Sequence, residues 1–330
     1  MALENLQKER IKKLNNIKKL GINPYPSKLD SGPASQGEQA RMTMDDARKR
    51  MGKKVAVAGR IRSLRPHGKI TFADLEDASG KIQILFRQDS VAGGKYDLLP
   101  NLDIGDFIGI AGEVIKTNAG EITVDVLDFQ ILTKSIRPVP PQWYGLKETE
   151  TRLRKRYLDF IVNPESRDIF LKKAKFWNAI REFLIGEGFM EVETPALEPI
   201  PGGADARPFI THHFALKRKL YLRISLELYQ KRFLVGGFEK VFEIGKIFRN
   251  EGIDQEHLQD YLQMEFYWAF ADYNDLMDLV QRMYQYLVKE TMGTTKTVYQ
   301  GHKINLLGKW PKVDFVTSFK KITGIDLDKE

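Results

Sequence analysis

The sequence predicts an α+β multidomain chain, a small β-barrel followed by an antiparallel sheet with flanking helices. Two observations carry that expectation. Between Lys53 and Thr133, short segments with alternating or β-rich character are separated by glycine and Asp/Asn turns. After Asn163, a long helical pattern with one broad apolar face gives way to glycine loops alternating with strands of period two. A chain of 330 residues is long enough to bury two cores, or three.

Composition narrows the class. The chain is 42% hydrophobic and 29% charged, and no apolar run approaches the roughly 20 residues that span a bilayer. Its start, MALENLQKERIKK, lacks the apolar stretch of a secretory signal. The absence of cysteine excludes disulfides and thiolate metal sites and suits the cytoplasm, which is the expected location, with no membrane partner. Lys and Arg outnumber Asp and Glu by 52 to 44, a net charge of +8 that favours an anionic partner without identifying it.

Residues 3–20 read as a basic amphipathic helix. Ile11, Leu14, Ile17 and Leu20 mark its apolar stripe, and Gly21, Pro24 and Pro26 stop it. A solvated surface helix and a helix lying along a phosphate backbone account for it equally well. SKLDSGPASQGEQ then reads as a linker. The strands KVAVAGRIRSL, KITFADLED, KIQILFRQD, FIGIAGEVIKT and EITVDVLDFQIL fit a closed five-stranded barrel of the OB type. Such barrels stack bases on exposed aromatics beside basic groups. Phe72, near Arg60, Arg62, Arg65, His67 and Lys69, fits that description, although periodicity alone favours a core position for it.

IRPVPPQWYG is a proline-rich boundary. Asn163 and Pro164 then form an N-cap and first helical residue, and the helix is expected to run to about Glu187. Ile169, Phe170, Phe176, Trp177, Ile180, Phe183 and Leu184 crowd a face wide enough for a second subunit. FMEVETPALEPI reads as a strand ending at Pro195. In LYLRIS, Tyr221, Arg223 and Ser225 share one strand face, and Glu227 enters the first turn of a helix, where an acid suits the dipole.

Gly202 and Gly203 in PGGADARP serve either a tight surface turn or a backbone that touches a small ligand. In the hairpin from Phe248 to Tyr273, Arg249 and Glu251 are expected on one face of the first strand. Glu265 and Tyr267 are expected on one face of the second, and a loop from Gly252 to Tyr261 carries His257. A solvated sheet with cross-strand ion pairs and a pocket floor holding charged ligands are equally good accounts. P-loop, Rossmann, zinc-protease and serine-hydrolase motifs do not occur.

The stretches INPYP, VAGRI, TFADLEDASGKIQ, RYLDFIVNPESR, GFMEVETPALEPIPGGADARPFITHH, YLRISLELYQKRFLVGGFEKVFEIGKIFRNEG, EFYWAFADYNDLM and YQGHKI extend over nearly the whole sequence. On them, the chain resembles the bacterial-type class II lysyl-tRNA synthetases. The resemblance implies three parts: a basic helix and linker over 1–50, an OB-fold anticodon-binding domain over 51–137, and the N-terminal part of a class II catalytic domain over 138–330. It implies ATP-dependent activation of lysine to lysyl-adenylate and transfer to tRNA(Lys), in a homodimer formed through the first class II motif.

By the same resemblance, Arg249 is the catalytic arginine, holding the α-phosphate of ATP and the lysine carboxylate. Glu251, His257 and Tyr261 contact ATP. Gly203, Glu227, Glu265 and Tyr267 join Arg249 in binding lysine. Arg65, Phe72, Gln83 and Glu121 grip the anticodon, with Phe72 stacking on a base, against the periodicity-based preference. Neither chemical step needs a protein nucleophile, so positioning and electrostatic stabilisation are expected to suffice.

Two departures qualify the likeness. His257-Leu-Gln-Asp-Tyr261 differs from the His-Asn-Pro-Glu-Phe usual in lysyl enzymes and is closer to the asparaginyl and archaeal aspartyl branches. The glycine-rich third motif does not occur in the sequence, nor do the acids upstream of it that hold Mg2+. The chain is therefore expected to be an N-terminal portion, with no metal site of its own and weak or no aminoacylation alone. An asparaginyl- or aspartyl-type enzyme and a non-catalytic tRNA-binding fragment remain as alternatives.

Overall fold

The computed structural model describes residues 2–29, 41–138, 146–252, 254, 257–327 and 329. The expected linker at 27–39 and the proline-rich boundary at 136–145 lie largely outside them. The chain divides into two units, Met1–Pro164 and Glu165–Glu330. Among the described residues, no helix is long and apolar enough to cross a membrane.

In the first unit, helix α1 (Ala2–Lys19) is followed by the short α2 (Met44–Arg48), which Thr43 caps by accepting from the Asp46 amide. Five strands follow: β1 (Lys54–His67), β2 (Ile70–Glu76), β3 (Lys81–Arg87), β4 (Phe107–Lys116) and β5 (Ile122–Thr133). They close a barrel in the order β1-β2-β3-β5-β4, with β3 and β5 parallel and the other pairs antiparallel. A register shift between Ile61 and Ser63 helps the long β1 bend from one neighbour to the other. Ile61, Ala73, Leu75, Ile84, Phe86, Ile108, Val124 and Ile131 fill the interior.

Only part of the predicted stripe on α1 is used. Ile17 is fully buried, whereas Ile11 and Leu20 are exposed, because Arg10 takes the neighbouring contact. Its guanidinium donates to the carbonyls of Ile104 (2.9 Å), Ser135 (3.2 Å) and Arg137 (3.4 Å). Beneath the helix, the fully buried ammonium of Lys134 lies 2.5 Å from Asp103 and 2.8 Å from Asp106. Burial pushes the Asp106 carboxyl above its ordinary value, with Lys134 opposing the shift. Two short helices, α3 (Thr149–Arg154) and α4 (Arg156–Val162), follow the barrel. Buried Asp159 ties them together, accepting from Arg152 (2.7 Å) and Arg156 (3.0 Å).

The second unit opens with α5 (Glu165–Gly186), close to the predicted span. The strand expected through Pro195 is instead two short strands, β6 (Met190–Glu191) and β7 (Leu197–Glu198). Pro195 has no amide hydrogen to continue the ladder, and the segment passes from one sheet to another between them. β7, β8 (Ile210–His213) and β9 (Arg218–Leu222) form an antiparallel sheet in the order β7-β9-β8. After α6 (Glu227–Val235) come β10 (Lys240–Phe248) and β11 (Asp260–Trp268), an antiparallel pair with β6 parallel to β10 on the other edge.

Helix α7 (Tyr273–Met292) starts from a capping box between Asp272 and Asp275 and packs on α5. Ala179, Ile180, Leu184, Leu279, Met283 and Leu287 meet Phe189, Phe242 and the apolar back of β11 (Met264, Phe266 and Trp268). The unit ends with the hairpin of β12 (Lys296–Tyr299) and β13 (His302–Asn305), followed by α8 (Phe315–Thr323). The wide apolar face of α5 is only half used. Ile180 and Leu184 are buried, while Ile169, Phe170, Leu171 and Phe176 are exposed.

Candidate active site and nucleic-acid interface

The β10–β11 hairpin builds the charged floor, with one correction to its predicted geometry. Strand β10 ends at Phe248, so Arg249 and Glu251 lie in the connection and not on the strand. The reason is a change of partner. Arg249 N still donates to Gln259 O (2.9 Å), but Asn250 N donates to Arg207 O (2.7 Å), which binds the hairpin to the PGGADARP loop. Likewise β9 stops at Leu222, so Arg223 and Ser225 do not continue a strand face from Tyr221.

Arg249, Glu251, His257 and Tyr261 nevertheless meet. Together with Gly252 and Leu258, they line a hollow of about 280 Å³. The Arg249 guanidinium lies 5.8 Å from the centre of the Tyr261 ring, and its buried Nε has no hydrogen-bond partner. His257 is held locally, its Nδ1 2.6 Å from Asp254 and its amide donating to the same carboxylate.

Arg249 also borders a second hollow of about 480 Å³, lined by Gly203, Ser225, Glu227, Gln263, Glu265 and Tyr267 among others. All five residues expected around lysine are therefore in one place. Gly203 has φ +84°, and a Cβ there would come within 3.0 Å of the Ser225 and Glu227 side chains, so only glycine lets the loop approach so closely. Glu227 starts α6, and its carboxylate pairs with Lys231 one turn on. The Tyr267 hydroxyl donates to Glu265 Oε2 (3.2 Å). Burial, then the charges of Glu265 and Glu227, push the phenol well above its ordinary value and keep it a donor.

The charge pattern of this floor is asymmetric. Glu243 and Glu265 face each other across the strand pair. Glu243 is buried and its Oε1 accepts from Arg223 Nη1 (2.6 Å), while Thr194 Oγ1 donates to Oε2 (2.6 Å). Arg223 occupies the space over Gly245, where a Cβ would stand 2.3 Å from Nη2. Glu265 forms no ion pair among the described residues, and neither does Arg249. Cross-strand ion pairing, the bland account of the hairpin, therefore holds for Lys246 and Asp260 but not for Glu265 and Arg249.

On the barrel, Arg65, Phe72, Gln83 and Glu121 line a single hollow of about 630 Å³. Phe72 faces outward on β2, whose inward residues are Thr71, Ala73 and Leu75, so a core position is excluded. Asp74 accepts from Arg65 Nη1 (3.1 Å) and Nη2 (3.3 Å). Burial raises the Asp74 carboxyl, but bonds from Arg65 and Ser63 outweigh it and hold it below its ordinary value. Gln83 Oε1 accepts from Thr123 (2.8 Å), which leaves its amide hydrogens for another acceptor. Arg87 and Lys116 border the same hollow. Sequence reasoning did not single them out, although Gln83, Leu85 and Arg87 recur with period two along β3. Gln263 was missed as well: it shares the face of Glu265 and Tyr267 but bears no charge to draw notice.

Residues 55–132 match the OB-fold nucleic acid binding domain, and residues 148–330 match the tRNA synthetases class II (D, K and N). The lysine–tRNA ligase of Moorella thermoacetica is 46% identical over 328 residues, covering 99% of this chain and 66% of that protein. That of Carboxydothermus hydrogenoformans is 47% identical over 324 residues (98% and 65%), and that of Halalkalibacterium halodurans 44% over 332 (100% and 66%). The chain thus spans just under two thirds of the length of these relatives. With an outward-facing aromatic on a five-stranded barrel and an Arg249-bearing hairpin in the matched second region, the chain belongs to the class II tRNA synthetases of the D, K and N group.

Proposed function

We propose that this chain serves as a lysine–tRNA ligase, working in the cytoplasm on ATP, lysine and tRNA(Lys). One observation carries the reading. Glu265, a carboxylate with no cation paired to it among the described residues, and Arg249, a guanidinium with no anion paired to it among them, border the same hollow. Lysine presents the complementary pair, a side-chain ammonium and an α-carboxylate. An aspartate side chain would meet Glu265 with like charge, and asparagine would leave it uncompensated, so the floor disfavours both alternatives.

In this reading Glu265 and Tyr267 receive the side chain, while Gly203 and Glu227 take the α-amine, Glu227 exchanging Lys231 for it. Arg249 holds the lysine carboxylate against the α-phosphate of ATP, which occupies the hollow of Glu251, His257 and Tyr261. The carboxylate oxygen attacks the α-phosphorus, and the bond to pyrophosphate breaks. The terminal hydroxyl of tRNA then attacks the adenylate carbonyl and releases AMP. Arg249 contributes by stabilising charge that grows on the phosphoryl oxygens.

Magnesium normally accompanies ATP. Among the described residues, however, no group of three or more His, Asp or Glu side chains is arranged for a metal ion. Among the described residues, Glu251 is the lone carboxylate lining the ATP hollow. These residues do not by themselves make a magnesium site, and no step is derived through one.

The barrel, proposed as the anticodon-binding domain over 51–137, would stack a base on Phe72 beside Arg65, Gln83 and Glu121. Residues 1–50 would form the basic helix and linker, and 138–330 the catalytic part. The exposed apolar residues on the first half of α5 support a homodimer. Isothermal titration with lysyl-, aspartyl- and asparaginyl-sulfamoyl adenosine tests the assignment. The lysyl analogue should bind tightest, and equal affinity or no binding of the three would overturn it.

A further inference from the structure

The two oxygens of Glu265 have different surroundings. Oε1 accepts from Gln263 Nε2 (2.6 Å), Ser225 Oγ (3.1 Å) and the Leu226 amide (3.3 Å). Among the described residues, Oε2 accepts only from the Tyr267 hydroxyl, at 3.2 Å. A carboxylate oxygen has two lone-pair sites, so Oε1 is saturated and Oε2 has room for another donor.

The shortest of these bonds comes from Gln263, a side chain that carries no charge. Gln263 lies across from Gly245, two residues from Glu265 on the same face, and it borders the hollow. A lysine or arginine there would fix Glu265 equally well but would also neutralise it. Arg223 does this to Glu243, the residue directly across the strand pair from Glu265. Because Glu265 accepts, the Gln263 amide must present its N–H₂ to the carboxylate and turn its carbonyl oxygen elsewhere.

We propose that Gln263 is a specificity-determining positioning residue: it saturates one oxygen of Glu265 without neutralising the carboxylate, so that the other oxygen is presented to a substrate ammonium. The inference rests on the lysine reading of this hollow and extends it. It assigns the anchoring role to Oε1 and the recognition role to Oε2. It also makes discrimination between a cationic and a neutral side chain depend on a residue that need not touch the substrate.

The test measures how strongly the chain prefers lysyl- over norleucyl-sulfamoyl adenosine, two analogues that differ by the side-chain ammonium. Gln263→Met keeps volume and removes the donor, and should lower that preference about tenfold, the scale of one hydrogen bond to a charged group. Norleucyl affinity should not change. Gln263→Lys should abolish the preference, because the protein's own ammonium then occupies Glu265. A Gln263→Met variant that weakens both analogues equally has lost structure, not specificity, and overturns the inference. So does one that retains the full preference while Glu265→Gln abolishes it, and in that case the lysine reading stands. If Glu265→Gln also retains the preference, the lysine reading itself falls.

Discussion

At the residue scale, the site depends on a few side chains with unused capacity. Arg249 borders both hollows with its buried Nε unbonded. Arg249→Ala should therefore weaken lysyl-sulfamoyl adenosine by about 3 kcal/mol, within the range for truncating a buried hydrogen-bonded charge pair, as read by titration calorimetry. Gly203→Ala tests the backbone instead. It places a Cβ at φ +84° against Ser225 and Glu227 and should cost about 1–3 kcal/mol of stability in denaturant melts. Whereas the roles expected for Arg249 and Gly203 came from the family resemblance, Glu265 was conspicuous in the sequence as charge on a period-two face. Gln263 was not, since a neutral amide gains its meaning only from the carboxylate it touches. Phe72 shows the converse: periodicity alone favoured the core, and only closure of the barrel decides which side of β2 is inside.

At the element scale, long periodic segments were readable and short ones were not. The five barrel strands and α5 lie close to their predicted spans because each carries its own alternation or helical face over many residues. The strand expected to end at Pro195 is cut short because the sequence cannot show that residues 190–191 and 197–198 pair with different sheets, β6 with β10 and β7 with β9. The hairpin connection began earlier than predicted for a similar reason, since the partner of Asn250 is Arg207, remote in sequence. The outward face of β2 and β3 carries its own prediction. Phe72→Ala should weaken binding of an anticodon stem-loop RNA by about 1–3 kcal/mol, the worth of one stacked base. The salt dependence of binding should stay unchanged, because no phosphate contact is removed. Filter binding at several salt concentrations measures both quantities.

At the scale of the whole molecule, there are two units with separate cores. Denaturant unfolding is expected to show two transitions. Lys134→Met leaves Asp106 buried without its cation and should destabilise the barrel transition by about 3–5 kcal/mol. The second transition, followed by the fluorescence of Trp177 and Trp268 in the α5–β11 core, should keep its midpoint. The position of Arg249 has a further effect on ligand behaviour. A single guanidinium bordering two hollows makes their occupants thermodynamically linked, because each anion alters the field in which the other binds. With ATP and lysine as the proposed occupants, whatever factor one imposes on the affinity of the other must be returned in equal measure, and removing Arg249 should bring that shared factor closer to one.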